Sequence, residues 1–241
     1  MNKNQKTLIT VIIVAAILIA GSIFYYAYST KKVNTANQSN QNNENVEQNQ
    51  NTQSNQNSQA YIAPQILDGE PILGDKNAPV TIIEYSSFLC GHCINFQEKT
   101  FPQLKKDYID TGKAKFVSRV FPGELAKASL CASEQNKYWD FTDYLFQNAF
   151  NLFQNNIETA DQLKQLILNV GEKLNLDKNQ LSSCYDSTKY DDLIQKWNDE
   201  ATEAKVEGTP TFFVNGQALV GDQLYKTFQE TIDNFLNTVG R

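Results

Sequence analysis

Cys90 and Cys93 stand three residues apart in Cys90-Gly91-His92-Cys93, and His92 between them is the only histidine of the chain. Two thiols at this spacing suit disulfide exchange, in which one sulfur forms a mixed disulfide and the other closes an internal bond onto it. A Cys-x-x-Cys is also half of a zinc site, but the other half needs two further ligands. Cys131 and Cys184 are single cysteines far from this pair and from each other in the chain, and there is no second imidazole. A cysteine protease would need His92 as the base beside its own nucleophile, in the wrong register for proton abstraction. The expected chemistry is redox, with a Cys90–Cys93 disulfide as the redox group and no metal or separate cofactor.

The flanking elements must place these sulfurs. Pro79 to Tyr85 has the β-branched density of a short buried strand, and Ile94, Phe96, Phe101, Leu104 and Tyr108 recur at helical spacing from about Gly91 to Tyr108, with Pro102 expected to kink the helix. Cys90 therefore falls where a strand turns into a helix. Unpaired N–H groups and the positive end of the helix dipole favour a thiolate there, and a protonated His92 would add a second partner. Cys93, one turn further on, is the more buried, resolving thiol. Ala114 to Val120 reads as a second strand ended by Phe121-Pro122-Gly123, and strand, crossover helix and strand imply a parallel, right-handed βαβ unit.

From Glu124 to Val206 the pattern is helical. Leu125, Ala128, Ser129 and Ala132 form one apolar face, and Trp139, Tyr144, Leu145 and Phe146 belong to a second helix. Thr159-x-x-Gln162 is a capping box opening a third, Asp177 caps a fourth, and Lys189 to Lys205 is a fifth. Asn215-Gly216 then joins two short strands, Phe212 to Val214 and Ala218 to Val220, as a hairpin. Asp222 to Val239 closes the chain as an amphipathic helix carrying Leu224, Phe228, Ile232, Phe235 and Leu236.

The first sixty residues are of another kind. No charge lies between Lys6 and Lys31, and Leu8 to Tyr28 is an apolar run of 21 residues, long enough for a membrane-spanning helix with Tyr25, Tyr26 and Tyr28 at the interface. Lys3 and Lys6 with Ala27-Tyr28-Ser29 also fit a cleaved signal peptide, although the apolar run exceeds the usual h-region. Either segment exports the rest of the chain, so the expectation is a single-pass signal-anchor at the cell membrane with an extracytoplasmic domain. From Asn34 to Gln59, 17 of 26 residues are Asn or Gln. That composition has nothing to bury and is expected to be a disordered tether with a reach of roughly 25 to 30 Å. Residues 60 to 241 carry 17 Lys and Arg against 25 Asp and Glu, an acidic balance that argues against nucleic acid or an anionic lipid surface as partner.

Cys90-Gly91-His92-Cys93 after a strand, with Gly208-Thr209-Pro210-Thr211 before a late hairpin, resembles the DsbA-like branch of the thioredoxin superfamily, exported thiol–disulfide oxidoreductases, over about residues 68 to 241. The resemblance implies an α/β thioredoxin-like fold, 61 to 123 with 207 to 241, interrupted by an inserted helical domain, 124 to 206; the anchor, 1 to 31, and the linker, 32 to 60, read from composition, precede it. It implies a cis Pro210 facing the disulfide, with Thr209 and the adjoining backbone meeting an extended substrate. Glu84, six residues before Cys90, matches the family's buried acid, which helps move the proton of the resolving cysteine; read on its own it is equally a strand-edge carboxylate. Gly-His between the cysteines and Thr209 before the proline are isomerase-type features, whereas no dimerisation module is present and a monomer is expected. The function expected is donation of the Cys90–Cys93 disulfide to exported cysteine-containing proteins, with reoxidation by a quinone-linked membrane partner; isomerase, reductase and non-catalytic chaperone are the alternatives. Cys131 and Cys184 are expected to form a structural disulfide inside the insertion, since exported proteins seldom keep free thiols; two separately buried thiols are the alternative.

Overall fold

The computed structural model describes residues 62–153 and 157–239. The apolar run, the Asn/Gln-rich segment and every expectation attached to them lie outside the described residues. Among the described residues no helix is long and apolar enough to cross a membrane.

Four strands form one sheet in the order β2-β1-β3-β4. β1 (Val80–Ser87) is rich in β-branched and aromatic residues and is buried along nearly its whole length. It pairs in parallel with β2 (Ala114–Phe121), with Val80 opposite Ala114 and Ser87 opposite Phe121. On its other side it runs antiparallel to β3 (Thr211–Val214), which pairs with β4 (Gln217–Val220) through the hairpin at Asn215 and Gly216. Both turn residues have positive φ, 44° and 86°, the conformation that an Asn-Gly turn supplies. The crossover from β1 to β2 is α1, a helical run over 91–109 made of Gly91–Asn95, Phe96–Thr100, Phe101–Leu104 and Lys105–Ile109. The second and fourth stretches are wider, π-type turns. These flank Pro102, which has no N–H to offer an ordinary α-turn.

α1 and the closing helix α7 (Tyr225–Val239) cover one face of the sheet, where Val80, Ile82, Phe96, Leu104, Phe116, Phe212, Phe228 and Ile232 pack into one cluster. Phe96 is its hub, with ring centroids 4.5 Å from Phe212 and 5.5 Å from Phe228. α7 begins three residues later than its apolar pattern suggests, so Leu224 precedes the helix and is exposed instead of packed.

The opposite face carries Ile83, Tyr85, Val117 and Phe213 beneath Ile66 and Ile72 of the lead-in and Ala201, Ala204 and Val206. A fully buried Arg119 sits there. Its guanidinium donates to both oxygens of Glu70 at 2.7 and 3.1 Å, to Glu200 and the Tyr85 hydroxyl at 2.6 Å each, and to the Gln65 carbonyl at 2.5 Å. A buried charge is tolerable only when its donors are satisfied in this way.

Among the described residues five helices, α2 (Gly123–Ser133), α3 (Tyr138–Phe153), α4 (Ala160–Lys173), α5 (Lys178–Tyr185) and α6 (Asp191–Glu203), form the insertion. Thr159 and Gln162 make the reciprocal capping box of α4, and the Asp177 carboxylate accepts the N–H groups of Asn179 and Gln180 at the start of α5. A disulfide joins Cys131 on α2 to Cys184 on α5 across 53 residues of sequence, with both cysteines buried. The insertion does not stand apart from the sheet, for Trp139 packs against both its core and the α1 cluster.

Closing a loop of that length restricts the unfolded chain by about 4 kcal/mol in the chain-entropy treatment. The double replacement Cys131→Ala, Cys184→Ala is predicted to lower unfolding free energy by that order in denaturant titration, while leaving the alkylation rate of Cys90 unchanged. A loss of Cys90 reactivity would show that this disulfide does more than brace the insertion.

Candidate active site

β1 ends at Ser87, and the chain crosses to α1 in three residues. Phe88 anchors the crossing: it is fully buried, with its ring 4.6 Å from that of Phe146 on α3. Leu89 turns outward and is 60% exposed. Cys90 comes next as the residue capping α1, in extended conformation with φ −99° and ψ 117°, and half-buried. The apolar anchor and the start of the helix together fix where the sulfur lies.

Partial burial by itself pushes the Cys90 thiol up. Against it stand the backbone N–H of Cys93, the Thr209 hydroxyl, the Cys93 thiol and the backbone N–H of His92, all of which favour the anion, and the net displacement is downward from the ordinary thiol value. As a thiol, Cys90 donates to the Thr209 carbonyl at 3.2 Å. Ionisation gives up that bond and gains the helix N–H groups. The imidazole of His92 is exposed, and the contact of this residue with Cys90 is made by its backbone.

Cys93 is the opposite case. It is fully buried, and burial dominates and drives its thiol well up, with the Glu84 charge adding to the effect; Ser86, Thr209 and the Ser87 N–H, 3.4 Å from its sulfur, only partly offset this. One sulfur is therefore shifted towards its anion and its neighbour away from it.

Thr209 and Pro210 come from the segment before β3. Their peptide bond is cis, and so is Phe121–Pro122, for which the sequence carries no signal. Pro210 is buried, its carbonyl accepts the Gly221 N–H at 2.8 Å, and the Thr211 hydroxyl donates to the Gly208 carbonyl at 2.7 Å. These bonds hold the Thr209 carbonyl against Cys90.

Glu84 is not a strand-edge carboxylate, because β1 is flanked by strands on both sides and Glu84 lies opposite Ser118 on one and Phe212 on the other. It is fully buried on the face towards α1. Its Oε2 accepts Ser118 Oγ at 2.8 Å and Gln97 Nε2 at 3.3 Å. Burial raises its pKa from 4.5 to about 7 despite the hydroxyl and amide donors around it. Ser86, Ser118 and Gln97 do not stand out in the sequence. Ser86 leaves a trace, because Glu84 and Ser86 are polar at alternate positions of an otherwise apolar strand; Ser118 and Gln97 leave none, since their link to Glu84 is made only by register and helix docking. Among the described residues no three His, Cys, Asp or Glu are grouped closely enough to hold a metal ion.

A sheet of this order, a helix with a reactive cysteine at its N-terminus and a proline-bearing segment facing that cysteine define a thiol–disulfide oxidoreductase of thioredoxin type. Comparison with known proteins agrees. The family model described as thioredoxin (Thioredoxin_4) matches residues 67–234. The chain is 32% identical over 184 residues to disulfide bond formation protein D of Bacillus subtilis, spanning 70% of this chain and 78% of that protein. Among solved structures, oxidised BdbD of Bacillus subtilis aligns with TM-score 0.60 at 26% identity over 73% of this chain and 98% of that one. α-DsbA1 of Wolbachia pipientis aligns with TM-score 0.63 at 28% identity over 72% and 94%. The chain belongs to the thioredoxin family, in its DsbA-like branch.

The burial of Glu84 has a pH signature. With a folded pKa of about 7 against an ordinary 4.5, the folded state binds more protons than the unfolded state between these values, so stability is full below about 4.5 and falls as pH rises through 7. Relative to Glu84→Gln, the reduced wild-type domain is predicted to lose on the order of 3 kcal/mol across that window. Parallel pH profiles for the two proteins would place the titration elsewhere.

Proposed function

We propose that this chain is a membrane-tethered thiol oxidant that donates the Cys90–Cys93 disulfide to cysteine-containing proteins outside the cytoplasm. The observation that carries this reading is the asymmetry of the sulfurs, Cys90 shifted towards its thiolate and Cys93 away from it. Whatever stabilises the reduced enzyme more than its disulfide makes that disulfide a stronger oxidant, at about 30 mV for each 1.4 kcal/mol.

In the forward direction a substrate thiolate attacks Cys90 Sγ, the half-buried sulfur of the pair. A substrate–Cys90 disulfide forms, and the Cys90–Cys93 bond breaks with its electron pair on Cys93. A second substrate thiolate then attacks the substrate sulfur of the mixed disulfide, and Cys90 leaves as the thiolate that the helix N-terminus favours. Exposed Leu89 and the fixed Thr209 carbonyl flank the attack, offering an apolar contact and a backbone acceptor to an extended, unfolded chain. The reduced enzyme is returned to its disulfide by a membrane partner that passes electrons to a quinone. The Bacillus subtilis relative's name, disulfide bond formation protein, supports the oxidising direction. The apolar run Leu8 to Tyr28 with the Asn/Gln-rich stretch behind it supports the tether and the export. The Gly-His pair between the cysteines favours isomerisation as a second reading.

A reduction potential nearer −120 mV than −270 mV is predicted from equilibration with glutathione, the range that separates strong oxidants from thioredoxins. Cys93→Ser is predicted to accumulate mixed disulfides through Cys90 with reduced, unfolded substrates. A potential at the thioredoxin end, without trapped species, would assign the site to reduction.

A further inference from the structure

Along the inner face of β1 a row of polar groups leads to Cys93. Side chains of a strand alternate between faces, so Ile82, Glu84 and Ser86 project to the same side, and Ile82 is packed there with Phe96 and Phe228. The Ser87 N–H contact puts Cys93 Sγ at the end of this row. Glu84, Ser86 and Cys93 are all fully buried. A proton that reaches or leaves Cys93 must therefore travel through the protein.

The hydrogen bonding of Glu84 is one-sided. Oε2 takes both Ser118 and Gln97, whereas Oε1 is buried and, among the described residues, has no hydrogen-bond partner of ordinary geometry. With two donors already on Oε2, the proton of the neutral acid belongs on Oε1. Ser86 Oγ also is buried and makes no hydrogen bond of ordinary geometry, yet it lies close enough to Glu84 and to Cys93 to favour the anion of each. Leaving buried oxygens unpaired is costly. A hydroxyl with a free hydrogen and a free lone pair, between an acid and a sulfur, has what proton transfer requires.

We propose that Ser86 relays a proton between Glu84 Oε1 and Cys93 Sγ during disulfide exchange. When attack on Cys90 breaks the Cys90–Cys93 bond, the electron pair stays on Cys93. The Ser86 hydroxyl gives its proton to that sulfur and receives the Glu84 proton, leaving a Cys93 thiol, an intact Ser86 and a Glu84 carboxylate. The reverse transfer frees Cys93 as a thiolate when it attacks a mixed disulfide at Cys90. No electrons move beyond those of the exchange.

The neighbouring titratable groups do not take this part. Cys90 is a reacting atom, and His92 on α1 is exposed. Tyr138 of α3 donates to the Ser118 carbonyl, and burial drives its hydroxyl well up. Arg119 is bound to Glu70 and Tyr85 on the other side of the sheet. Glu84 has a pKa, about 7, at which it can both hold and give up a proton near neutrality.

The relay rests on the exchange chemistry assigned to Cys90 and Cys93, and the test separates the two. The full-length protein is loaded with glutathione on Cys90, and the rate at which Cys93 closes onto Cys90 and expels glutathione is tracked by stopped flow between about pH 5 and 9. Ser86→Ala is expected to slow closure by on the order of 10- to 100-fold near neutral pH, towards the lower end of what positioned proton transfer supplies. Ser86→Thr, which keeps the hydroxyl, is expected to restore most of the rate. In a Glu84→Gln background Ser86→Ala is expected to cost nothing more, and the glutathione equilibrium constant of Ser86→Ala is expected to stay within about twofold of wild type, since a relay changes rates and not the end states. Wild-type closure in Ser86→Ala, additive losses in the double variant, or an equilibrium shift that tracks the rate loss would overturn the relay and leave the exchange chemistry standing. Failure of glutathione to load on Cys90 of the wild-type protein would overturn both.

Discussion

The site depends on favouring the thiolate of a partly buried sulfur. Burial opposes the Cys90 anion, and it is the largest single influence on that group; four smaller contributions, from two backbone N–H groups, a hydroxyl and a thiol, together outweigh it. They do so only because the strand stops at Ser87, Phe88 locks the crossing, and the helix begins one residue after Cys90. A helix starting one turn later would leave the sulfur with the burial and without the donors. Cys93, within the first turn, has the burial and fewer compensating donors, so one local geometry produces both ends of the asymmetry.

β1 organises the remainder. Its residues facing α1 run from core, Val80 and Ile82, into the polar row of Glu84 and Ser86, and its other face carries Ile83 and Tyr85 towards Arg119. A buried acid in a central strand is costly, and here the cost is limited by letting the acid stay neutral over much of the accessible pH range and by two donors on one oxygen. Arg119 takes the other solution, remaining charged while every direction of its guanidinium meets an acceptor. The two faces of one short strand pair thus handle buried polarity in opposite ways.

Much of this was legible in the chain. Strand density before Cys90, helical spacing after it, the Asn-Gly hairpin and the Thr159 capping box are local signals that the fold keeps, because each rests on backbone preferences that tertiary packing reinforces. Where the fold departs from the pattern, the cause is non-local. Leu224 fits the stripe of α7 but lies before the helix, in the turn whose Gln223 carbonyl accepts from Thr100 of α1. The link from Glu84 to Ser118 spans 34 residues and exists only through the parallel register. Arg119, which shares β2 with a second cation, Lys115, gave no hint of partners as distant as Gln65 and Glu200.

The binding of Gln65, Glu70 and Glu200 by one guanidinium has a mechanical consequence. Ile62 donates to the Glu203 carbonyl, Gln65 and Glu70 are held by Arg119, and Leu73 bridges to Phe116 at the outer edge of β2. Tension applied at residue 62 would load these attachments in series, as a strap rather than a hinge. The Glu203 and Arg119 attachments lie on the side of the sheet away from α1 and the Leu73 bridge at its β2 edge, so a pull at residue 62 would be taken up away from the strand end that carries Cys90, leaving the contact of its sulfur with the Thr209 carbonyl unloaded.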